Sequence, residues 1–254
     1  MSLEDCIRKA AEIGCEGYEI VAAQMIASYP YVTDEVAGEF ARYSDKYLIG
    51  PEAMVRLAPY AEEYGVRVGI EIHNPETPTS PKIMEYREAF DKCGSQYLGF
   101  ITDFGCFSTK PNKPYWDRAL ANGAQPEMLD MLAQMRYDEV PQEEATERLL
   151  KAGANSAVLG AVASSYGFVQ FRREADLEGL KSIIPQNFEF HAKCHYVSED
   201  LEEASIPYDE VLSTIVDSNF DGYVVVEYED EGGYDSVEMT RRCVAMIKKI
   251  LNNK

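Results

Sequence analysis

Short apolar runs alternate with helix-patterned stretches along this chain, and that alternation most constrains its fold. The runs are Glu16–Val21 (EGYEIV), Val66–His73 (VRVGIEIH), Leu98–Asp103 (LGFITD), Phe188–Cys194 (FEFHAKC) and Tyr223–Glu229 (YVVVEYE). Near-continuous apolar runs of this length read as parallel strands covered by helices. Between them lie helix signals: Ser2-Leu3-Glu4-Asp5 as a capped start, Thr33-Asp34-Glu35 as another, Pro51 as a first-turn proline closed by Gly65, and Ser80-Pro81 closed by Gly94. Further helices are predicted at 126–134, 142–152, 176–183, 207–217 and 236–251. Ala157–Ala163 (AVLGAVA) reads equally as helix or strand. The class is α/β with a parallel sheet, arranged as a (β/α) barrel or an open sheet. Five strands are evident where a closed barrel has eight. No Pro/Gly-rich linker divides residues 1–254, so a single domain is expected.

Composition narrows the function. Acids number 44 against 24 bases, a formal net charge of −20. Such a field disfavours nucleic acid and strongly anionic substrates, although acidity by itself mostly serves solubility. No apolar stretch is long enough to span a membrane and no leader precedes Ser2, so no membrane partner and a cytoplasmic location are expected. The six cysteines show no CxxC spacing, in keeping with reduced thiols.

The chemistry sits at the run ends. All three histidines of the chain lie there, and so do several acids: Glu71 and His73, Asp103, His191 and His195, Glu227 and Glu229. Ligand and catalytic groups of α/β sheets and barrels gather at the carboxyl ends of strands. Residues two apart on a strand share a face, so Glu71 pairs with His73, His191 with Lys193 and His195, and Glu227 with Glu229. Cys194 points the other way, into packing. Two glutamates, an aspartate and a histidine on one rim form an oxygen-rich donor set. It suits Mn²⁺, Mg²⁺ or Co²⁺ better than a sulfur-rich zinc site. A divalent ion beside a sugar carbonyl stabilises an enediolate, and an uncommitted imidazole such as His73 is a base for the α-proton. A single histidine at a strand end is more often a satisfied core or surface residue. The conjunction of several strand ends is what points to a metal.

The segments VGIEIHNP, ITDFGCF, FHAK and IPYDEVLSTIVDSNFDGYVVVEYE resemble the sugar phosphate isomerase/epimerase family with its xylose isomerase-like TIM barrel. Within it they look most like the catalytic alpha subunit of bacterial C-glycoside deglycosidases. The resemblance covers about 66–107 and 188–229 well and the first 47 residues loosely. It implies Glu71, Asp103, His191 and Glu227 as ligands of a divalent metal, Mn²⁺ first and Mg²⁺, Co²⁺ or Zn²⁺ as alternatives. It implies His73 as the base and Lys193 as a group that holds substrate oxygens. The implied reaction is β-elimination of the aglycone from a 3-oxo-glycoside, with a smaller β subunit as partner. The isomerases and epimerases of the family run the same enolisation but return the proton. Glu19 and His195 are the candidate substrate contacts, and His195 stands where the deglycosidases usually carry an aromatic residue. The resemblance also expects a strand before Ser2 and about two strands near 47–51 that this sequence does not display. A barrel serving as a non-catalytic subunit is therefore the reading from a different class. A DNA-repair endonuclease on the same barrel would need more histidines and a basic groove.

Overall fold

The computed structural model describes residues 9, 12–14, 51–65, 67–229 and 233–252. Helices are α1 (Pro51–Tyr64), α2 (Pro81–Cys93), α3 (Lys113–Ala121), α4 (Pro126–Tyr137), α5 (Gln142–Lys151), α6 (Ser156–Tyr166), α7 (Leu177–Ile183), α8 (Tyr208–Asp217) and α9 (Ser236–Asn252). Strands are β1 (Val68–Ile72), β2 (Leu98–Asp103), β3 (Asn187–Cys194) and β4 (Tyr223–Tyr228). The strand expected at Glu16–Val21, the candidate Glu19 and the helix expected from Thr33 lie outside the described residues.

The described residues fall into two compact units, one made of 51–70 and 84–99, the other of 71–83 and 100–252. In the first unit α1 begins on a proline that costs no intrahelical bond there. It ends at Gly65, whose φ of +63° only glycine adopts without strain. Gly94, at φ +69°, ends α2 in the same way. Tyr86 and Phe90 of α2 are buried with their rings 6.0 Å apart, edge to face.

The sheet has four strands among the described residues, in the order β1-β2-β3-β4. β3 pairs in parallel with β2 and with β4, with Asp103 beside His191 and Lys193 beside Glu227. Parity sorts β3 as expected. Phe190, Ala192 and Cys194 are fully buried on one face, while Glu189, His191 and Lys193 take the other. Phe104, Phe190 and Tyr208 form one aromatic block beneath the strand ends, with Phe104–Phe190 and Phe104–Tyr208 centroids 6.0 and 5.3 Å apart.

Helices α3–α6 bury a second core of their own, with Leu129, Leu132, Leu149 and Val158 at its centre. Each such side chain contributes about 1.5–3 kcal/mol by leaving water. The ambiguous run 157–163 is helix. Val158, Ala161, Val162 and Ser165 are buried at spacings of three and four, and Asn155 caps the start by accepting from the amides of Ala157 and Val158 at 3.1 Å. Helix α3 was not expected, although Asn112 caps it (Tyr115 N to Oδ1, 3.1 Å) and Pro114 lies in its first turn.

Candidate metal centre

All residues of the site belong to the second unit. β2 ends at Asp103, whose Oδ1 accepts the amide of Gly105 at 2.5 Å and so caps the 3₁₀ turn Phe104–Phe107. A side chain at Gly105 would strike that oxygen, because a Cβ there would lie 2.9 Å from Oδ1. The cap fixes one carboxylate oxygen of Asp103, and Oδ2 is the one that reaches the neighbouring cations. Asn74 reinforces the turn by donating to the Gly105 carbonyl at 3.0 Å.

Four side chains converge. Glu71, Asp103, His191 and Glu227 each offer one donor atom, and these atoms all lie within 4.8 Å of one another. Donors on opposite sides of an ion with bonds of about 2.0–2.6 Å are themselves about 4–5 Å apart, so the cluster has the span of a single coordination sphere. Three carboxylates and one imidazole fit a hard divalent cation. Polar contacts among the four are already short. His191 Nδ1 lies 2.9 Å from Glu71 Oε1 and 3.4 Å from Glu227 Oε2, and its Nε2 lies 3.7 Å from Glu189 Oε1.

Lys193 stands inside this acidic group. Its side chain is 2% exposed, and Nζ lies 3.1 Å from Asp103 Oδ2, 3.0 Å from Glu227 Oε1 and 2.8 Å from Glu229 Oε2. The ammonium has three donors and faces three carboxylates. His73 sits on the other flank. Its Nδ1 is 2.9 Å from the Asn74 carbonyl, and its Nε2 is 3.9 Å from Asp103 Oδ2. A carbonyl only accepts, so Nδ1 carries the proton and Nε2 keeps the lone pair. Phe168, half-exposed, stacks against the ring with centroids 4.9 Å apart.

The charges are strongly coupled. Burial opposes charge on His191, but the bonds to Glu227 and Glu71 outweigh it and lift the imidazole to about 10. Burial likewise opposes charge on Glu227, yet His191 and Lys193 hold its carboxyl down at about 2. The His191 bond lowers Glu71. Burial raises Asp103 to about 6 against the pull of Lys193 and His73. Burial also opposes the Lys193 ammonium, but Asp103, Glu227 and Glu229 keep it charged well above its ordinary range.

His191 titrates higher in the folded protein than its ordinary 6.5, so the stability it contributes is complete below 6.5 and lost as pH rises through about 10. Metal-free protein should therefore lose stability across that window. Protein saturated with a divalent ion should not, because the ion takes the place of the imidazolium proton. Denaturant titrations at pH 6.5, 8 and 10, with chelator or with Mn²⁺, check this, and parallel curves would refute it.

His195 lies deeper than the other candidates. It is buried, and its Nδ1 donates to the Glu229 carbonyl at 2.9 Å. Its amide reaches Glu203 Oε1 at 3.3 Å, and the same carboxylate takes the amides of Ser205 and Ile206 at 2.5 and 2.6 Å. Burial raises the Glu203 carboxyl, and these amides together with His195 act against that rise. His195 thus ties the end of β4 to the loop after β3. Glu189 and Glu229 were legible by parity, as members of the same strand faces as His191 and Glu227. Phe168 and Glu203 carried no signal in sequence, because each is placed by a loop.

Fold and site together define a class. The chain belongs to the xylose isomerase-like TIM barrel family, whose sequence model matches residues 50–250. Among proteins of known function it is similar to the 3'-dehydrocarminate deglycosidase alpha subunit of a Microbacterium species. The two are 28% identical over 195 residues, 72% of this chain and 56% of that protein. It is also similar to C-glycoside deglycosidase alpha subunits of Arthrobacter globiformis (26% over 215 residues, 80% and 59%) and Microbacterium trichothecenolyticum (26% over 192 residues, 71% and 52%). The chain therefore spans a little over half the length of the relatives it matches. No helix among the described residues is long and apolar enough to cross a membrane.

Proposed function

We propose that this chain is the catalytic subunit of a divalent-metal-dependent enzyme that removes the proton next to a sugar carbonyl. Its reaction is read as a C-glycoside deglycosidase-like β-elimination from a 3-oxo-glycoside. The observation that carries the reading is the four-donor cluster with His73 on its flank, Nδ1 engaged by the Asn74 carbonyl and Nε2 turned toward Asp103. Glu71, Asp103, His191 and Glu227 would hold the ion, Mn²⁺ in first place. Once bound it polarises the ketone and stabilises negative charge on the ketone oxygen.

His73 Nε2 takes the proton from C2, beside the C3 ketone. The C–H pair becomes the C1=C2 double bond as the C1–aglycone bond breaks. The aglycone leaves with that bonding pair and is protonated. Asn74 holds the imidazole in the tautomer this step needs. Lys193, which the resemblance implies as a holder of substrate oxygens, is 2% exposed and meets three carboxylates with its three donors, so its role here is to pair with Asp103, Glu227 and Glu229. Phe168 beside the base offers a flat apolar surface to the substrate. The relatives are named alpha subunits, which supports a smaller β subunit as partner. A cytoplasmic location accords with the described cysteines, Cys93, Cys106, Cys194 and Cys243, all of them free thiols.

The test is a substrate panel on Mn²⁺-loaded protein, with and without a candidate β subunit. Release of aglycone from 3-oxo-C-glucosides is the expected result. Conversion of free ketoses without aglycone release would replace the lyase with an isomerase or epimerase. Neither reaction, with no bound metal after dialysis, would leave a non-catalytic subunit.

A further inference from the structure

A cavity of about 610 Å³ shares no lining residue with the metal centre. It lies where α4 ends, α5 begins and the chain leaves α6, and three arginines line it: Arg136, Arg172 and Arg173. That is unusual in a chain of net charge −20. Arg173 is accounted for, since its Nη2 pairs with Asp138 Oδ1 at 3.0 Å and its guanidinium lies over the Tyr137 ring.

The other two have only neutral partners. Arg136 lies over the Tyr166 ring, 4.2 Å from its centre, and its Nη2 reaches Gln170 Oε1 at 3.3 Å and the Phe171 carbonyl at 3.4 Å. Arg172 Nη2 reaches the Pro75 carbonyl at 3.4 Å. Arg136 Nε and Arg172 Nη1 are buried without a hydrogen-bond partner. Glu139 and Glu174 also line the cavity, yet among the described residues no carboxylate lies within ion-pair distance of either guanidinium. Burial, with the charge of Arg172 beside it, weakens the hold of Arg136 on its proton, and Tyr166 and Glu139 offset this only in part. Two like charges, half-buried beside one cavity and with no carboxylate paired to either among the described residues, leave an unmet demand for an anion. A planar guanidinium meets that demand best with the paired oxygens of a carboxylate or phosphate.

We infer that this cavity binds an oxyanion, a carboxylate or a phosphate, through Arg136 and Arg172, with Tyr137 and Tyr166 as its aromatic walls. The test is calorimetric titration of the full chain, stripped of metal by chelator, with inorganic phosphate and separately with benzoate. Saturable binding of at least one, weakened by added NaCl, is expected. Arg136→Gln and Arg172→Gln should each weaken it at least about tenfold, the loss of a charge-assisted hydrogen bond. Glu227→Gln, at the metal centre, should leave the anion affinity unchanged. Which of the two probes binds separates phosphate from carboxylate ligands. Should the Gln variants fail to fold by circular dichroism, Arg136→Lys and Arg172→Lys decide. These keep the charge but lose the fork, and weakened binding supports the site. Absence of binding by the wild type overturns the inference, and so does undiminished binding by the folded variants.

Discussion

His73→Ala is expected to lose about 10²–10⁴-fold in turnover, the usual contribution of a positioned general base, while binding metal as the wild type does. The imidazole is not one of the four converging donors, and its Nε2 is 3.9 Å from the nearest of their oxygens. Removing it takes away the lone pair proposed to accept the proton and leaves the donor set whole. His73→Phe, which keeps an aromatic ring against Phe168 but has no basic nitrogen, should behave alike. That makes lost packing against Phe168 an inadequate account of the loss. Single-turnover release of aglycone gives the rate, and metal analysis after dialysis gives the occupancy. Loss of metal in both variants would make His73 a ligand. Undiminished turnover would move the base to one of the metal-flanking glutamates.

Much of this arrangement was legible because strand parity is a local property. In FEFHAKC, alternation alone separates Phe190, Ala192 and Cys194, all fully buried, from Glu189, His191 and Lys193. The same rule set Glu227 and Glu229 on one face, and both meet the Lys193 ammonium. What parity lacks is register. That Lys193 lies between Asp103, Glu227 and Glu229, and not merely on their side, depends on the parallel pairing of Lys193 with Glu227. Pairing is set by tertiary packing, which no single segment encodes. His195 shows the same limit. Its face was readable, but its bond to the Glu229 carbonyl exists only because β4 ends where it does. The run 157–163 was undecidable for another reason. A short apolar stretch has no polar face to reveal its period, and the deciding signal was the Asn155 cap just before it.

Lys193→Met should be the most damaging substitution for the metal-free fold, at a cost of about 3–5 kcal/mol, the range for removing one partner of a buried ion pair. Asp103 carries most of this, since its carboxylate is fully buried and would be left with only the His73 imidazole, 3.9 Å away and neutral as the base, beside it. Glu227 and Glu229 are about 40% exposed and recover water, so they add little. The same ammonium lies within 3.1 Å of two of the four proposed ligands and so opposes a second cation there. Two positive groups a few ångströms apart repel by several kcal/mol at the effective dielectric of a protein, so the variant should bind Mn²⁺ at least about tenfold more tightly than the wild type. Tighter binding is linked to folding, and the stability deficit should shrink as metal is added. Urea unfolding in chelator and in excess Mn²⁺, with a metal titration of each protein, measures both effects. A deficit under about 1 kcal/mol in chelator would mean that Asp103 gives up its charge when Lys193 is lost, as a carboxyl already lifted to about 6 by burial is placed to do. Weaker metal binding by the variant would instead make Lys193 the strut that holds Asp103 and Glu227 in position to ligate.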